Sequence, residues 1–168
     1  AIASYKKAVE VNPDYAESHY NLGTAYLEQG QLDNAVSEFQ KAVILAPGFL
    51  DAYYNLGIAY RKKGMPDEAV SALNKASEID PEDIKTLNNL AIAFHEKGKF
   101  EDAIFTYENI ASIVPEDANV RYNLGITYFK AGMLNEAISE LQKVFELKPG
   151  HVKAHYNLGV IYMRKNML

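Results

Sequence analysis

The sequence predicts an all-α solenoid of antiparallel helix pairs, and three observations lead there. First, a short segment recurs at fixed intervals: Tyr20-Asn21-Leu22-Gly23, Tyr54-Asn55-Leu56-Gly57, Asn88-Asn89-Leu90-Ala91, Tyr122-Asn123-Leu124-Gly125 and Tyr156-Asn157-Leu158-Gly159. The asparagines fall at 21, 55, 89, 123 and 157, a period of 34 residues without a slip, and a period of that length belongs to stacked helical units. Second, a glycine (Gly30, Gly64, Gly98, Gly132) punctuates the middle of each unit and a proline (Pro13, Pro47, Pro81, Pro115, Pro149) its end. Third, apolar residues between these marks recur at helical rather than strand spacing.

Numbering each unit so that the recurring Asn is position 6 gives full units at 16–49, 50–83, 84–117 and 118–151. Residues 1–15 match the second half of a unit and 152–168 the first half. No long linker, Ser/Gly tract or charge block interrupts them, so a single array is expected. Each first helix should stop at its position-15 glycine in the left-handed conformation. Each second helix should open with Asp33, Asp67, Glu101 and Asp102, or Asn135 and Glu136. Pro66 suits a first helical turn, where a missing N–H costs little. The second helices should stop before the position-32 prolines, which disfavour helix in the residue ahead of them.

At 100° per residue, positions 4, 7, 8 and 11 of the first helix lie on one side and positions 2, 6, 9 and 13 on the other. The first stripe, with Leu22, Gly23 and Tyr26 or Leu124, Gly125 and Tyr128, is the expected core face. The second helix answers with small residues at positions 20 and 27: Ala35 and Ala42, Ala69 and Ala76, Ala103 with Ala111 beside Ile110, Ala137 and Val144. Phe39, Leu73, Tyr107 and Leu141 fill position 24 between them. Small residues allow close approach and the large ones fill the remaining space. Glu38, Glu78 and Glu140 read as a solvated outer face.

Leu-Gly-x-x-Tyr followed by Gly, Ala, a large apolar residue, Ala and Pro at this spacing resembles the tetratricopeptide repeat family over essentially the whole chain. Ala91 in place of Gly, Ile110 and Val144 in place of Ala, and the lack of a position-4 tryptophan are local departures. The resemblance implies a right-handed superhelix whose first helices line a concave surface.

Composition bounds the function. Net charge is −5, with 17 basic and 22 acidic residues, and a nucleic-acid-binding surface would usually show a basic excess. Cysteine is absent, so disulfides and thiolate metal sites are excluded. No run reaches the roughly 18 apolar residues of a membrane span. The compartment stays open, with a soluble cytoplasmic setting favoured. His19, His95, His151 and His155 have no metal-ligand spacing with carboxylates on one face, and no Gly-rich phosphate loop occurs. No cofactor, metal or catalytic residue is expected.

The expected function is therefore a non-catalytic scaffold holding an extended peptide or a partner helix in the concave groove. Asn is a mediocre helix former, so Asn21, Asn55, Asn89, Asn123 and Asn157 in register call for another reason. Their amides suit a ligand backbone, as an asparagine ladder does in the resembling superhelix of O-linked N-acetylglucosamine transferase. The alternative is that they bond the neighbouring repeat. Tyr20, Tyr54 and Tyr122 at position 5 and Ile58, Ile92 and Ile126 at position 9 would form side-chain pockets, unless the tyrosines pack on the next repeat. Members that clamp the carboxylate tail of heat-shock proteins place Lys at position 5, Asn at 9 and Arg at 6. Here position 5 is Tyr or Asn and no position 6 is Arg, so that function is rejected.

Charge along the groove side changes sign: Glu17, Glu28 and Asp51 come early, Lys85, Lys130, Lys153 and Arg164 later, with Lys62 and Glu96 as exceptions. An acidic part of a partner should lie toward the later repeats. Finally, the two half units leave Ile2, Tyr5 and Val9 at one end, and Leu158, Tyr162 and Ile161 at the other, short of partners. Head-to-tail self-association through them is the alternative function. A third is that the array is the repeat domain of a larger enzyme.

Overall fold

The computed structural model describes residues 1–166. Among them are ten α-helices and no strand: α1 (Ile2–Val11), α2 (Ala16–Glu28), α3 (Leu32–Leu45), α4 (Leu50–Lys62), α5 (Pro66–Ile79), α6 (Ile84–Glu96), α7 (Phe100–Ile113), α8 (Ala118–Lys130), α9 (Leu134–Leu147) and α10 (Val152–Asn166). The helices divide into two compact units, Ala1–Ala93 and Phe94–Leu168.

The turns inside the repeats are built alike. Gly30, Gly64, Gly98 and Gly132 have φ between 73 and 84°, where an L side chain would be strained. Each closes a Schellman motif: Gly30 N–H donates to the Leu27 carbonyl and Gln31 N–H to the Tyr26 carbonyl, and the same pair of bonds recurs at the other three. The second helices start as expected with acidic residues in the first turn, which favour the positive end of the helix dipole. Those acids are not caps, however: Gln31, Met65, Lys99 and Met133 stand at the cap positions without a side-chain cap bond. Side-chain caps occur instead on first helices, where Asp83 accepts from Thr86 N–H and Asp117 from Asn119 and Val120 N–H.

In the first unit the core is Leu22, Tyr26, Val36, Phe39 and Leu56 with small residues between them. Ala35, Ala42, Ala69 and Ala76 are fully buried, so each second helix lies close against its first. A Cβ on Gly23 would fall 2.8 Å from the Phe39 ring, and one on Gly57 would fall 2.5 Å from Leu73 Cγ. Ile2, Tyr5 and Val9 are half-buried against this core, so α1 is not short of partners on that side. Its Ala3 and Ala8 are exposed.

In the second unit Ile104, Tyr107, Ile110, Leu124, Leu141 and Val144 are buried. On α10, Ile161 is fully buried rather than bare, because it faces back toward α8 and α9. Leu158 is half-buried and Tyr162 exposed. Gly159 has no atom within 4 Å of the place a Cβ would take, unlike Gly125, where Leu141 lies 3.2 Å away.

Gly57→Ala should therefore cost about 1–3 kcal/mol through overpacking, while Gly159→Ala should gain up to about 1 kcal/mol of helix propensity. Urea unfolding midpoints of the two variants test this. Equal midpoints would remove close approach as the reason for the glycines.

Candidate functional site

The first-helix stripe opposite the core follows a recurring pattern. In the first unit Glu17, Asn21 and Glu28 of α2, Asp51 and Lys62 of α4, and Lys85 of α6 are exposed. Thr24, Asn55, Ile58, Asn89 and Ile92, the inner positions, are half-buried. In the second unit Lys130 of α8 and Lys153 and Arg164 of α10 are exposed, while Asn123, Ile126, Asn157 and Val160 are half-buried. α4, α6 and α10 thus offer a half-buried centre of amide and aliphatic groups between charged ends, while α2 has an exposed Asn21 beside Thr24 and α8 is charged at Lys130 alone.

Three of the five asparagines have a partner in the preceding repeat. The Nδ2 of Asn55 donates to the Tyr20 hydroxyl (3.2 Å), that of Asn89 to Tyr54 (3.1 Å) and that of Asn157 to Tyr122 (2.9 Å). Asn89 also donates to the Lys85 carbonyl, and its Oδ1 accepts from Arg61 at 2.7 Å. Asn123 follows a repeat with Asn88 in place of the tyrosine, and it makes no side-chain hydrogen bond among the described residues. Asn21 is exposed. An amide has two donors and an acceptor, so a single bond to tyrosine leaves Asn55 and Asn157 with unused capacity.

The position-5 tyrosines are held in place from below. The Tyr20 ring lies 4.9 Å from Phe49 and 6.0 Å from Phe39, and the Tyr122 ring lies 4.8 Å from His151. For Tyr54, burial first and the Asp83 carboxylate second push the phenol above its ordinary value. It stays a neutral hydroxyl for Asn89. By contrast Tyr156 is 73% exposed.

A second set of bonds joins neighbouring repeats lower down. Gln40 Nε2 donates to the Tyr60 hydroxyl at 2.8 Å, and the Tyr128 hydroxyl donates to the Glu108 carboxylate at the equivalent place. Burial, followed by that carboxylate, drives the Tyr128 phenol well above its ordinary range.

Glu38 and Glu140 are not the solvated outer residues expected from sequence. Glu38 pairs with His19 at 2.6 Å and Lys41 at 2.8 Å, and its side chain is 12% exposed. Glu140 pairs with Arg121 at 3.2 Å and Lys143 at 2.6 Å. His19 and Arg121 occupy position 4, and each also bonds the carbonyl of the preceding proline, Pro13 or Pro115. His155 does the same to Pro149. Only Glu78 fits the solvated reading, at 62% exposure. The signal available in the sequence is the recurrence of a position-4 His or Arg with a position-23 glutamate in the same units.

His95 is a further residue that spacing does not single out. Its Nε2 is buried without a hydrogen-bond partner, and its ring meets Phe100 edge-on at 5.5 Å. Burial, then the charge of Lys130, holds the imidazole below its usual value. Among the described residues no cluster of three potential metal ligands occurs, and no helix is long and apolar enough to cross a membrane.

Two outcomes follow. Breaking an Asn–Tyr bond should cost about 1 kcal/mol, so Asn55→Ala and Tyr20→Phe in a double-mutant cycle should couple by about that amount. Additive effects in chemical denaturation would show that the bond carries no stability. Burial opposes ionisation of Glu38, but the hydrogen bonds from Lys41 and His19 outweigh it and lower its pKa from the ordinary 4.5. The folded state then binds fewer protons than the unfolded chain, so this contribution is present above about pH 4.5 and is lost as pH falls through the folded value. Glu38→Gln should flatten the stability loss below pH 4.5. An unchanged acid limb would contradict the assignment.

Comparison with known proteins fits this geometry. A family model described as TPR repeat matches residues 1–30, 93–132 and 127–166, and one described as Tetratricopeptide repeat matches 27–91. No curated protein sequence matches the chain. Among solved structures, YrrB, described as a TPR protein with an unusual peptide-binding site, is 28% identical with a TM-score of 0.84, over 99% of this chain and 86% of that one. A crystal structure of MamA protein is 27% identical with a TM-score of 0.84, over 91% of this chain and 84% of its own. A thermophilic TPR protein of Thermus thermophilus, TTC0263, shares the fold at 21% identity and a TM-score of 0.65, over 96% and 89% of the two chains. With the matched segments running over most of its length, the chain belongs to the tetratricopeptide repeat family.

Proposed function

We propose that the protein is a non-catalytic interaction scaffold that binds an extended peptide, or one face of a partner helix, on the exposed stripe of its first helices. The observation that carries this is the stripe itself. Ile58, Ile92, Ile126 and Val160 remain half-buried, and beside Ile58, Ile126 and Val160 lie the amides of Asn55, Asn123 and Asn157, which keep unused hydrogen-bonding capacity. Aliphatic pockets with polar edges of this kind take alternate side chains of a ligand while the amides meet its backbone. The description of YrrB, similar in fold over nearly the whole chain, as having a peptide-binding site supports the same reading.

The asparagines divide under this proposal. Asn55, Asn89 and Asn157 have a structural task first and any ligand contact second, whereas Asn21 and Asn123 keep their amides for a ligand. Tyr20, Tyr54 and Tyr122 shape the floor rather than form pockets. Lys85 and Lys153 contribute charge at the margins.

Peptides selected from a displayed random library against the whole chain test the proposal. Ile58→Glu and Ile92→Glu should each abolish binding of the selected peptides. Phe105→Glu, at a residue of α7 that is 74% exposed and off the stripe, should leave binding intact. Selected peptides lost with Phe105→Glu and retained by both isoleucine variants would place the ligand elsewhere, and a library yielding none would remove the reading.

A further inference from the structure

In the second unit the exposed stripe belongs to α8 and α10, and its chemistry differs from that of the first unit. Neither helix contains an Asp or Glu, whereas together they carry Arg121, Lys130, Lys153, Arg164 and Lys165. Arg121 is spent on Glu140, and Lys165 bonds Asn135. Lys130, Lys153 and Arg164 remain, all on the stripe, all exposed, and none in a salt bridge among the described residues. The first unit's stripe is mixed in sign by contrast: Glu17, Glu28 and Asp51 are exposed on it together with Lys62 and Lys85.

The cations are arranged rather than scattered. Lys153 and Arg164 are 11 residues apart on α10, which places them within about 20° of the same direction and about 16 Å apart along the axis. An extended chain covers that distance in about five residues. Arg164 lies over the Phe129 ring of α8 at 5.5 Å, so its guanidinium is held between the two helices rather than free to sweep. Between the charges lie Ile126 and Val160, half-buried, with Tyr156 and Met163 exposed at 73% and 62%. Asn123 sits in the same stripe on α8, and it lacks the tyrosine bond that occupies Asn55, Asn89 and Asn157.

We infer that the α8–α10 face is the docking site for an acidic extended peptide with interleaved apolar residues, gripped through its backbone by Asn123. The inference rests on the peptide-binding reading above and names the ligand chemistry for one part of the surface. Its carboxylates meet Lys130, Lys153 and Arg164, and its apolar side chains rest on Ile126, Val160 and Met163. Charge complementarity of this sort speeds association and is screened by salt.

Fluorescence anisotropy on the whole chain tests it, with labelled short peptides of repeated Glu-Glu-Leu-Leu, Gln-Gln-Leu-Leu and Lys-Lys-Leu-Leu, whose pairing puts both residue types on each face of an extended chain, and with an oligothymidylate of matching charge. The Glu/Leu peptide should bind tightest, weaken as salt rises, and shift the Asn123 side-chain amide in an NMR titration. Lys153→Glu with Arg164→Glu, and separately Asn123→Ala, should each weaken it about tenfold. Lys148→Glu, off the stripe, should leave it unchanged. A Gln/Leu peptide that binds as well, a charge-reversed variant that binds Glu/Leu unchanged, or an oligothymidylate that binds as tightly would each overturn the inference. If none of the three peptides binds while library-selected peptides do, the acidic ligand is wrong and the scaffold reading stands. If the selected peptides fail too, both fall.

Discussion

The contact on which the rest depends is the one between the position-8 glycine of α2, α4 and α8 and the large position-24 residue of the following helix. With no Cβ on Gly57, the Leu73 side chain fills space that any larger residue would occupy. The same is true of Gly23 with Phe39 and, less tightly, of Gly125 with Leu141. Buried alanines at positions 20 and 27 let the helix backbones come together on either side of that contact. One face of each first helix is used up in this way. The opposite face is left to solvent because a single second helix cannot cover both.

That leftover face is then partly claimed by stacking. An Asn that bonds the tyrosine of the preceding repeat fixes the register between successive first helices, and the ring beneath that tyrosine fixes the hydroxyl. The two possible tasks for the asparagines are therefore not exclusive. A single donor satisfies the stacking bond of Asn55 and of Asn157, leaving the rest of each amide unused, whereas Asn89 also meets Lys85 and Arg61. The paired glutamates act at another level: Glu38 and Glu140 tie position 4 of a first helix to position 23 of its second, and the same position-4 side chain reaches back to the proline carbonyl. In a buried pair the cost of desolvating both groups offsets much of their attraction.

Much of the fold is legible in the sequence because the repeat multiplies weak signals. A single Gly or Pro is modest evidence, but four glycines at one register all have φ near 73–84°, and five prolines each follow a helix end. What escapes is information that lies in pairs. Glu38 reads as outer-face when judged on its own helix, since only the position-4 partner on another helix, His19, draws it inward. The bareness expected of Ile161 fails for a similar reason. A missing second helix would leave it uncovered, but it faces α8 and α9, which are present. The Asn–Tyr bonds join residues 35 apart, a constant offset visible in the sequence, yet periodicity alone does not say whether an amide turns to its neighbour or to a ligand.

This separation suggests how such a chain acquires a preference for a partner. Positions 7, 8, 11, 20, 24 and 27 are fixed by packing: positions 8 and 20 are Gly or Ala throughout, and positions 24 and 27 vary only among apolar residues and tyrosine. Positions 2 and 13 touch no core and vary freely in charge: Glu17 and Glu28 in one repeat, Lys153 and Arg164 in another. Substitutions there cost little stability, since exposed charges contribute at most about 1 kcal/mol to folding. The same charges act fully on an approaching ligand. Position 5 belongs to an intermediate class, because its tyrosine supplies the hydroxyl that Asn55, Asn89 and Asn157 use, so replacing it would remove a stacking partner and at the same time release an amide on the next repeat. A single departure from the repeat pattern can thus lower stability slightly and create a binding group, which makes the irregular repeat, not the regular ones, the place to look for recognition.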